Sequence, residues 1–423
     1  MVYMIGIIMN EKNKFIVDLN SLIKIYLSKK DVDEYTSTIL NTLHPKLPSD
    51  CSSDELFDFY FKESILSEKV RLLTDTLITF VEKKLSLKKY VDFLLPFGKL
   101  LLTQGEHDIA NDIANIVLKI SASEKGMENQ KGEALLLIAE FHIKQADWKT
   151  AVTNIKKARD IFEVTNKKDG LGQCEFLIGS MYVEKGDLKA GSIRLNNCLM
   201  YSGESRNPLL TGMVEVNLGI ISYIEGNMTK ALELYEKALA KFKKLGDTRR
   251  EAEVMQNIGM IYRNKKDYSA ALNIYNDCLE VSKRFGYQPI TNLCYLNIAE
   301  IQLEKSDLAE AFSYAQKSLV LSYQLNDKLT LADIHKMLGV LSLRERNYAS
   351  AENFLLTSLR LNNDLNQELN CAETNYQLGL LYKEKGNKKD AYNHLMNAFK
   401  FYHKNHSKPL LAEIESHLSS LNN

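Results

Sequence analysis

Residues 257–279 read N-I-G-M-I-Y-R-N-K-K-D-Y-S-A-A-L-N-I-Y-N-D-C-L. Counting from Gly259, Tyr262 follows at +3, Asp267 at +8, Ala271 at +12, Tyr275 at +16 and Cys278 at +19, and this arrangement recurs every 40 residues. The place of Gly259 is taken in turn by Ala139, Gly179, Gly219, Gly259, Ala299, Gly339 and Gly379. Twelve residues on stand Ala151, Gly191, Ala231, Ala271, Ala311, Ala351 and Ala391. Small side chains on facing helices let two backbones approach, so the two series predict the mutual contact of a first helix (A) and a second helix (B) in a repeated hairpin. A fixed period of this length is the signature of a solenoid.

The turns carry the same phase. Eight residues after the glycine position come Asp147, Asp187, Asn227, Asp267, Asp307, Asn347 and Asn387, all residues whose side chains cap a helix N-terminus. Helix B is expected to end near Gly126, Asn166, Gly246, Gly286, Asn326 and Asn366, where Gly or Asn takes the left-handed conformation that closes a helix. Arg206, beside Asn207, is the one misfit in that series, and Pro289 and Pro409 share a phase suited to the start of a helix A.

Upstream, a repeat centred on Gly98 keeps Gly105, Ala110 and Ala114 in step, with Pro96 inside its first helix predicting a kink or a late start. Residues 11–28 and 31–43 are amphipathic at helical spacing, and the stretch 44–52, with Pro45 and Pro48, reads as a linker before a cap at Ser53. Residues 408–421 give a last amphipathic helix with Leu410, Leu411, Ile414, Leu418 and Leu421 on its inner side, the expected cover for the bare end of a stack. The predicted organisation is therefore an N-terminal helical segment and linker (1–52), a helical region compatible with a degenerate repeat (53–87), eight hairpins (88–407) and a C-terminal capping helix (408–423).

Composition excludes several classes. The chain has 54 Lys+Arg and 54 Asp+Glu, a formal net charge of zero, which lacks the basic footprint of a nucleic-acid binder. An apolar share of 45% with 6 prolines suits an ordered helical chain. The six cysteines (Cys51, Cys174, Cys198, Cys278, Cys294, Cys371) form no C-x-x-C pair and read as small core residues of a reducing, cytoplasmic compartment. The apolar start M-V-Y-M-I-G-I-I-M has no basic flank and is too short to span a bilayer; it reads as a frayed start, with Met9 a candidate initiator.

The pattern small-x-x-Tyr, Ala at +12, an aromatic at +16 and a small residue at +19 resembles the tetratricopeptide repeat, lengthened from its 34-residue core to 40. Kinesin light chains, Pins-like polarity adaptors and Rap-type peptide receptors are similar in this. The resemblance covers about residues 90–421 and says little of 1–85. His142, Ser222, Gln302 and Ser342 depart from the tyrosine, and Ile155, Leu195, Ala315, Leu355 and Leu395 from the aromatic. The resemblance implies an all-α, right-handed α-solenoid of antiparallel helix pairs, whose A helices line a concave groove for an extended peptide or partner helix.

On that implication the residues beside the glycine face the ligand. Asn217, Asn257 and Asn297 occupy the position two before it in three consecutive repeats, and an asparagine amide can meet the C=O and N–H of a peptide group together. Each can equally bond a neighbouring helix and specify packing. Gln256, Met260, Arg263, Asn264 and Glu300 lie around them as further candidate contacts. A two-carboxylate clamp is unsupported, since Lys336 is the single base among the residues three before the glycine, and the basic run Lys241–Arg250 reads as a solvated helix end.

No constellation carries chemistry. H-E-x-x-H, P-loop and G-x-S-x-G motifs are missing. Gly170-Leu171-Gly172 reads as a loop ahead of a helix without the strand of a dinucleotide fingerprint, and His403 and His406 lack a third ligand. The sequence predicts a non-catalytic scaffold, without cofactor or metal, that takes a protein or extended peptide and neither nucleic acid nor membrane. The other reading is a peptide-sensing regulator whose helices within 10–85 act on an effector protein; an independent N-terminal bundle would favour it, a continuation of the stack the scaffold.

Overall fold

A capped turn every twenty residues leaves room for helices of about five turns, and these are what form. The computed structural model describes residues 14–35, 66–103, 105–205, 207–404 and 408–422. The expectations for residues 1–9, 36–43, the linker 44–52, Ser53 and Arg206 lie outside them. Every regular element among the described residues is a helix. They are α1 (Lys14–Tyr26), a helical stretch at 29–35, α2 (Leu66–Lys84), then the pairs α3 (Leu87–Thr103) and α4 (His107–Ser123), α5 (Glu128–Lys144) and α6 (Trp148–Val164), α7 (Lys168–Glu184) and α8 (Leu188–Ser205). There follow α9 (Pro208–Ile224) and α10 (Met228–Leu245), α11 (Thr248–Asn264) and α12 (Tyr268–Phe285), α13 (Gln288–Glu304) and α14 (Leu308–Leu325), α15 (Lys328–Arg344) and α16 (Tyr348–Asp364), α17 (Glu368–Glu384) and α18 (Lys388–Lys404), and finally α19 (Lys408–Asn422). The chain is an all-α solenoid of consecutive helix pairs.

All seven caps form. Asp147, Asp187, Asn227, Asp267, Asp307, Asn347 and Asn387 each accept the backbone N–H three residues on, at 3.0–3.2 Å. Gly126, Asn166, Gly246, Gly286, Asn326 and Asn366 are left-handed, with φ between 51° and 83°. A second left-handed series, unremarked in the sequence, precedes each cap: Ala146, Gly186, Gly226, Lys266, Ser306, Arg346 and Gly386. There the amides of Lys266 and Asp267 bond the carbonyls of Arg263 and Tyr262 at 2.8 and 2.9 Å, the double closure of a Schellman turn.

The helix A–helix B contact differs in detail from expectation. A Cβ placed on Gly259 would lie 2.6 Å from the Tyr275 ring, and one on Gly219 2.5 Å from Tyr235, so the glycine accommodates the +16 side chain rather than the +12 residue. Leu195, Leu355 and Leu395 fill the same place against Gly179, Gly339 and Gly379. The +12 position leans on helix A nearby, since a Cβ on Gly191 would stand 3.2 Å from the Gly179 carbonyl oxygen. A second notch holds Phe162 between Gly132 and Gly170, each of whose Cβ atoms would fall 2.6 Å from its ring. Gly170-Leu171-Gly172 therefore lies inside α7 and is buried, not in a loop. The helix α3 likewise runs through Pro96 from Leu87 and does not start late.

A helices are buried almost all round. In α15 Leu331, Ile334, Met337, Leu338 and Leu341 are among the buried residues, whereas α16 buries the single stripe Ala351, Leu355, Ser358 and Asn362. An A helix touches its own partner and the preceding B helix, leaving one narrow strip to solvent.

The chain divides into two compact units, the first running to residue 254 with 284–286, the second 255–283 with 287 onward, so that the division falls within α11 and at the end of α12. In the first, the N-terminal helices join the core of the first hairpins: Ile23, Leu27, Tyr35, Leu77 and Val81 cluster with Phe93, Leu94 and Phe97. The Tyr26 hydroxyl donates to the Asp92 carbonyl at 2.8 Å. Glu175, buried on α7, is held by Arg159 at 2.7 Å and Arg194 at 3.3 Å. In the second, Ile414 and Leu421 of α19 close the core of α16–α18, with Leu411 and Leu418 against it as expected.

Gly259→Ala should destabilise the chain by about 1–3 kcal/mol through overpacking against Tyr275. Adding Tyr275→Ile, which copies the Ala139/Ile155 pairing, should recover part of that loss; a double-mutant cycle in denaturant melts without coupling would contradict the contact. Arg346→Gly should stabilise by about 0.5–1 kcal/mol, read as a higher Tm, because it relieves a left-handed backbone carrying a side chain.

Candidate functional site

The solvent strip of each A helix is the surface on which a partner could be read. In the first unit it is largely apolar: Phe176, Val216 and Ile220 are half-buried and Ile224 is 57% exposed. Asn217 belongs to this strip, and its Nδ2 donates to the Met213 carbonyl at 3.1 Å, one turn back along its own helix.

In the second unit the strip is polar. Asn297 Nδ2 donates to Gln256 Oε1 at 2.9 Å, and this orients the Gln256 amide so that its Nε2 donates inward, to Cys294 Sγ at 2.8 Å and the Ile290 carbonyl at 3.3 Å. Gln256 thus works chiefly as a packing residue between α11 and α13. Arg263 pairs with Glu300 and lies 3.8 Å from Glu304. Burial alone would lower the Arg263 guanidinium, but Glu300, Tyr275 and Glu304 outweigh it and hold it fully charged. Met260 is half-buried and Asn264 exposed. Asn257 is half-buried and makes no side-chain hydrogen bond among the described residues. Of the eight residues singled out in sequence, Gln256 with Asn297 and Arg263 with Glu300 are brought together.

Farther along the same unit stands a cluster the sequence reading missed. Lys336 on α15 pairs with Glu373 on α17 and lies 3.7 Å from Asp333, while Asn370 donates to Asp333 at 3.2 Å. Tyr376 donates to Glu413 on α19 at 2.6 Å. The signal was present, since Arg263–Glu300, Lys336–Glu373, Asp333–Asn370 and Tyr376–Glu413 are all 37 residues apart. That is one repeat less one helical turn, the offset that brings neighbouring A helices level. Burial pushes the Asp333 carboxyl up to about 6; Lys336 opposes this, and Glu300 and Glu373 reinforce it. Burial would lower Lys336, yet Glu373 and Asp333 prevail and raise it.

Among the described residues no group of three or more His, Cys, Asp or Glu is arranged to hold a metal ion, and no helix is long and apolar enough to cross a membrane.

Residues 210–284 match the tetratricopeptide repeat family, and residues 372–402 match it again. The chain is a tetratricopeptide-repeat protein. Solved structures share the fold with this tetratricopeptide-repeat chain at low identity. A signal transduction ATPase (STAND) protein with a tetratricopeptide repeat sensor from Pyrococcus horikoshii is 15% identical, with a TM-score of 0.54 over 96% of this chain and 67% of its own. The apo form of RapI is 13% identical, with a TM-score of 0.58 over 78% and 97%. A Rap protein complexed with competence and sporulation factor is 17% identical, with a TM-score of 0.52 over 84% and 99%. No curated protein matches the tetratricopeptide-repeat chain in sequence.

Because the carboxyl of Asp333 is raised from an unfolded value near 4, its protonated form stabilises the fold fully below about pH 4, and that contribution is lost as pH rises through about 6. Asp333→Asn should therefore melt progressively above the wild type as pH goes from 4 to 7. A Tm difference that shrinks or stays flat over this range would contradict the burial assigned to Asp333.

Proposed function

We propose that the protein is a non-catalytic interaction scaffold whose A helices form a concave face that takes a partner protein or an extended peptide. The observation that carries this reading is Asn257. Its neighbours Gln256, Asn297, Arg263 and Glu300 bond one another, whereas its own amide is uncommitted, half-buried and in position to meet a peptide group. The fold it shares with a Rap protein bound to competence and sporulation factor is consistent with a peptide ligand.

The N-terminal helices bear on the regulator reading. Their described parts share one core with α3–α5 and so continue the stack, which supports the scaffold. Buried cysteines held as thiols suit a cytoplasmic setting.

Affinity purification of the tagged full chain, with mass spectrometry, tests the reading. Asn257→Ala should lose the partner recovered with the wild type while its Tm is unchanged, because no internal bond is removed. Asn297→Ala should also weaken capture and, by releasing Gln256, cost about 1 kcal/mol of stability. Full partner recovery by both variants would sink the proposal.

A further inference from the structure

At each junction between successive hairpins the +19 residue of a B helix faces the residue five before the small position of the next A helix. Ser358 and Thr374 show this directly, with their hydroxyls 3.2 Å apart. Read along the chain, the pairs are Ala158/Cys174, Cys198/Val214, Ala238/Val254, Cys278/Cys294, Ser318/Ile334, Ser358/Thr374 and Ala398/Ile414. In this series a single junction sets cysteine against cysteine. Both thiols are fully buried, and one amide nitrogen, Gln256 Nε2, reaches both, at 3.6 Å to Cys278 Sγ and 2.8 Å to Cys294 Sγ.

We propose that Cys278 and Cys294 form a reversible disulfide that staples α12 to α13 beneath the Gln256–Asn297 bond. The oxidant is a hydroperoxide. One thiol loses its proton and attacks the terminal peroxide oxygen, giving a sulfenic acid and releasing an alcohol, or water from hydrogen peroxide. The second sulfur then attacks the sulfenic sulfur and expels water, so both thiols are oxidised by two electrons in total and the peroxide bond is reduced. A low-molecular-weight thiol reverses the step by exchange.

The surroundings suit a controlled reaction. The Cys278 thiol, with burial, holds the Cys294 thiol above its ordinary value, while hydrogen bonds from Gln256 and Ser282 pull it the other way. Cys294 is therefore protonated and quiet at rest, with two donors in place to receive its thiolate when α12 and α13 part locally. Asn297 fixes the Gln256 amide from the other side, so closure of the sulfur bridge bears on a strip residue pair that joins α11 to α13. This does not depend on which partner the strip takes.

Hydrogen peroxide added to the full chain, followed by unfolding, alkylation and unreduced peptide mapping, tests the proposal. The Cys278 and Cys294 peptides should appear joined, lighter by two hydrogens than their sum and separated by dithiothreitol, with Cys174 and Cys198 still alkylated. The oxidised chain should melt higher than the reduced one. Cys278→Ser, which copies the serine found at Ser318 and Ser358, should fold, abolish the joined peptide and remove the peroxide-dependent rise in Tm. Quantitative alkylation of both thiols after peroxide has consumed the half-exposed Cys371 would overturn the assignment, as would a two-hydrogen loss that survives in Cys278→Ser.

Discussion

The close approach of a large +16 side chain to a helix A that lacks a Cβ is the contact on which the five hairpins with glycine at this position rest. Where the small residue is glycine, the partner is Tyr235, Tyr275, Leu195, Leu355 or Leu395, and an added methyl would collide with it at 2.5–2.8 Å. Where alanine stands there, as at Ala139 and Ala299, the partner changes to Ile155 and Ala315. The Ala139/Ile155 pair trades volume between its two positions, as expected of an interior packed to crystal density, whereas the Ala299/Ala315 pair is smaller overall. Once this contact sets the distance between A and B, the capped turns set their direction, and the remaining side chains pack onto a fixed frame.

The junctions filled around that frame are not uniform in chemistry. Phe162 and Phe242 sit in glycine notches in the first unit. In the second, the same register holds Asn292 and Ser322, joined at 2.7 Å and fully buried, and Ser318 donates to the Asn292 amide oxygen at 2.7 Å. A satisfied buried network gives up dispersion contact for directional bonding, and it fixes one register of packing more sharply than an apolar seam would. The Cys278/Cys294 pair belongs to this run of polar junctions, between the apolar pairs of the first unit and the hydroxyl pair Ser358/Thr374.

The strip of the A helices follows another logic. Its charges cancel between neighbouring repeats through the 37-residue offset, so Arg263, Lys336 and their carboxylates form a braced floor instead of a field of one sign. A partner reading this floor would meet amides and paired charges, and electrostatic matching there would select register more than it would add raw affinity. Asn257 stands out because the residues on either side of it are already engaged.

Turn chemistry and the small-residue series were legible in the sequence because each acts within one turn or one hairpin. A cap bonds three residues on, and a left-handed Asn326 closes its own helix. The site was legible only in part. Spacing put Asn257, Asn297, Arg263 and Glu300 on one strip, but it could not say that Gln256 turns inward to sulfur, or that Lys336, Asp333 and Glu373 converge. Those outcomes depend on the rotation of one hairpin against the next, to which single-residue identity is blind. The left-handed Lys266, Ser306 and Arg346 were hidden for a related reason, since the Schellman closure imposes that backbone on whatever residue precedes the cap. The sequence by itself determined the period, the caps and the helices, which are local hydrogen-bonding and steric choices. The tertiary structure alone decided which side chains meet across hairpins, because an offset of 37 rather than 40 residues is set by how helices pack and not by how any one of them forms.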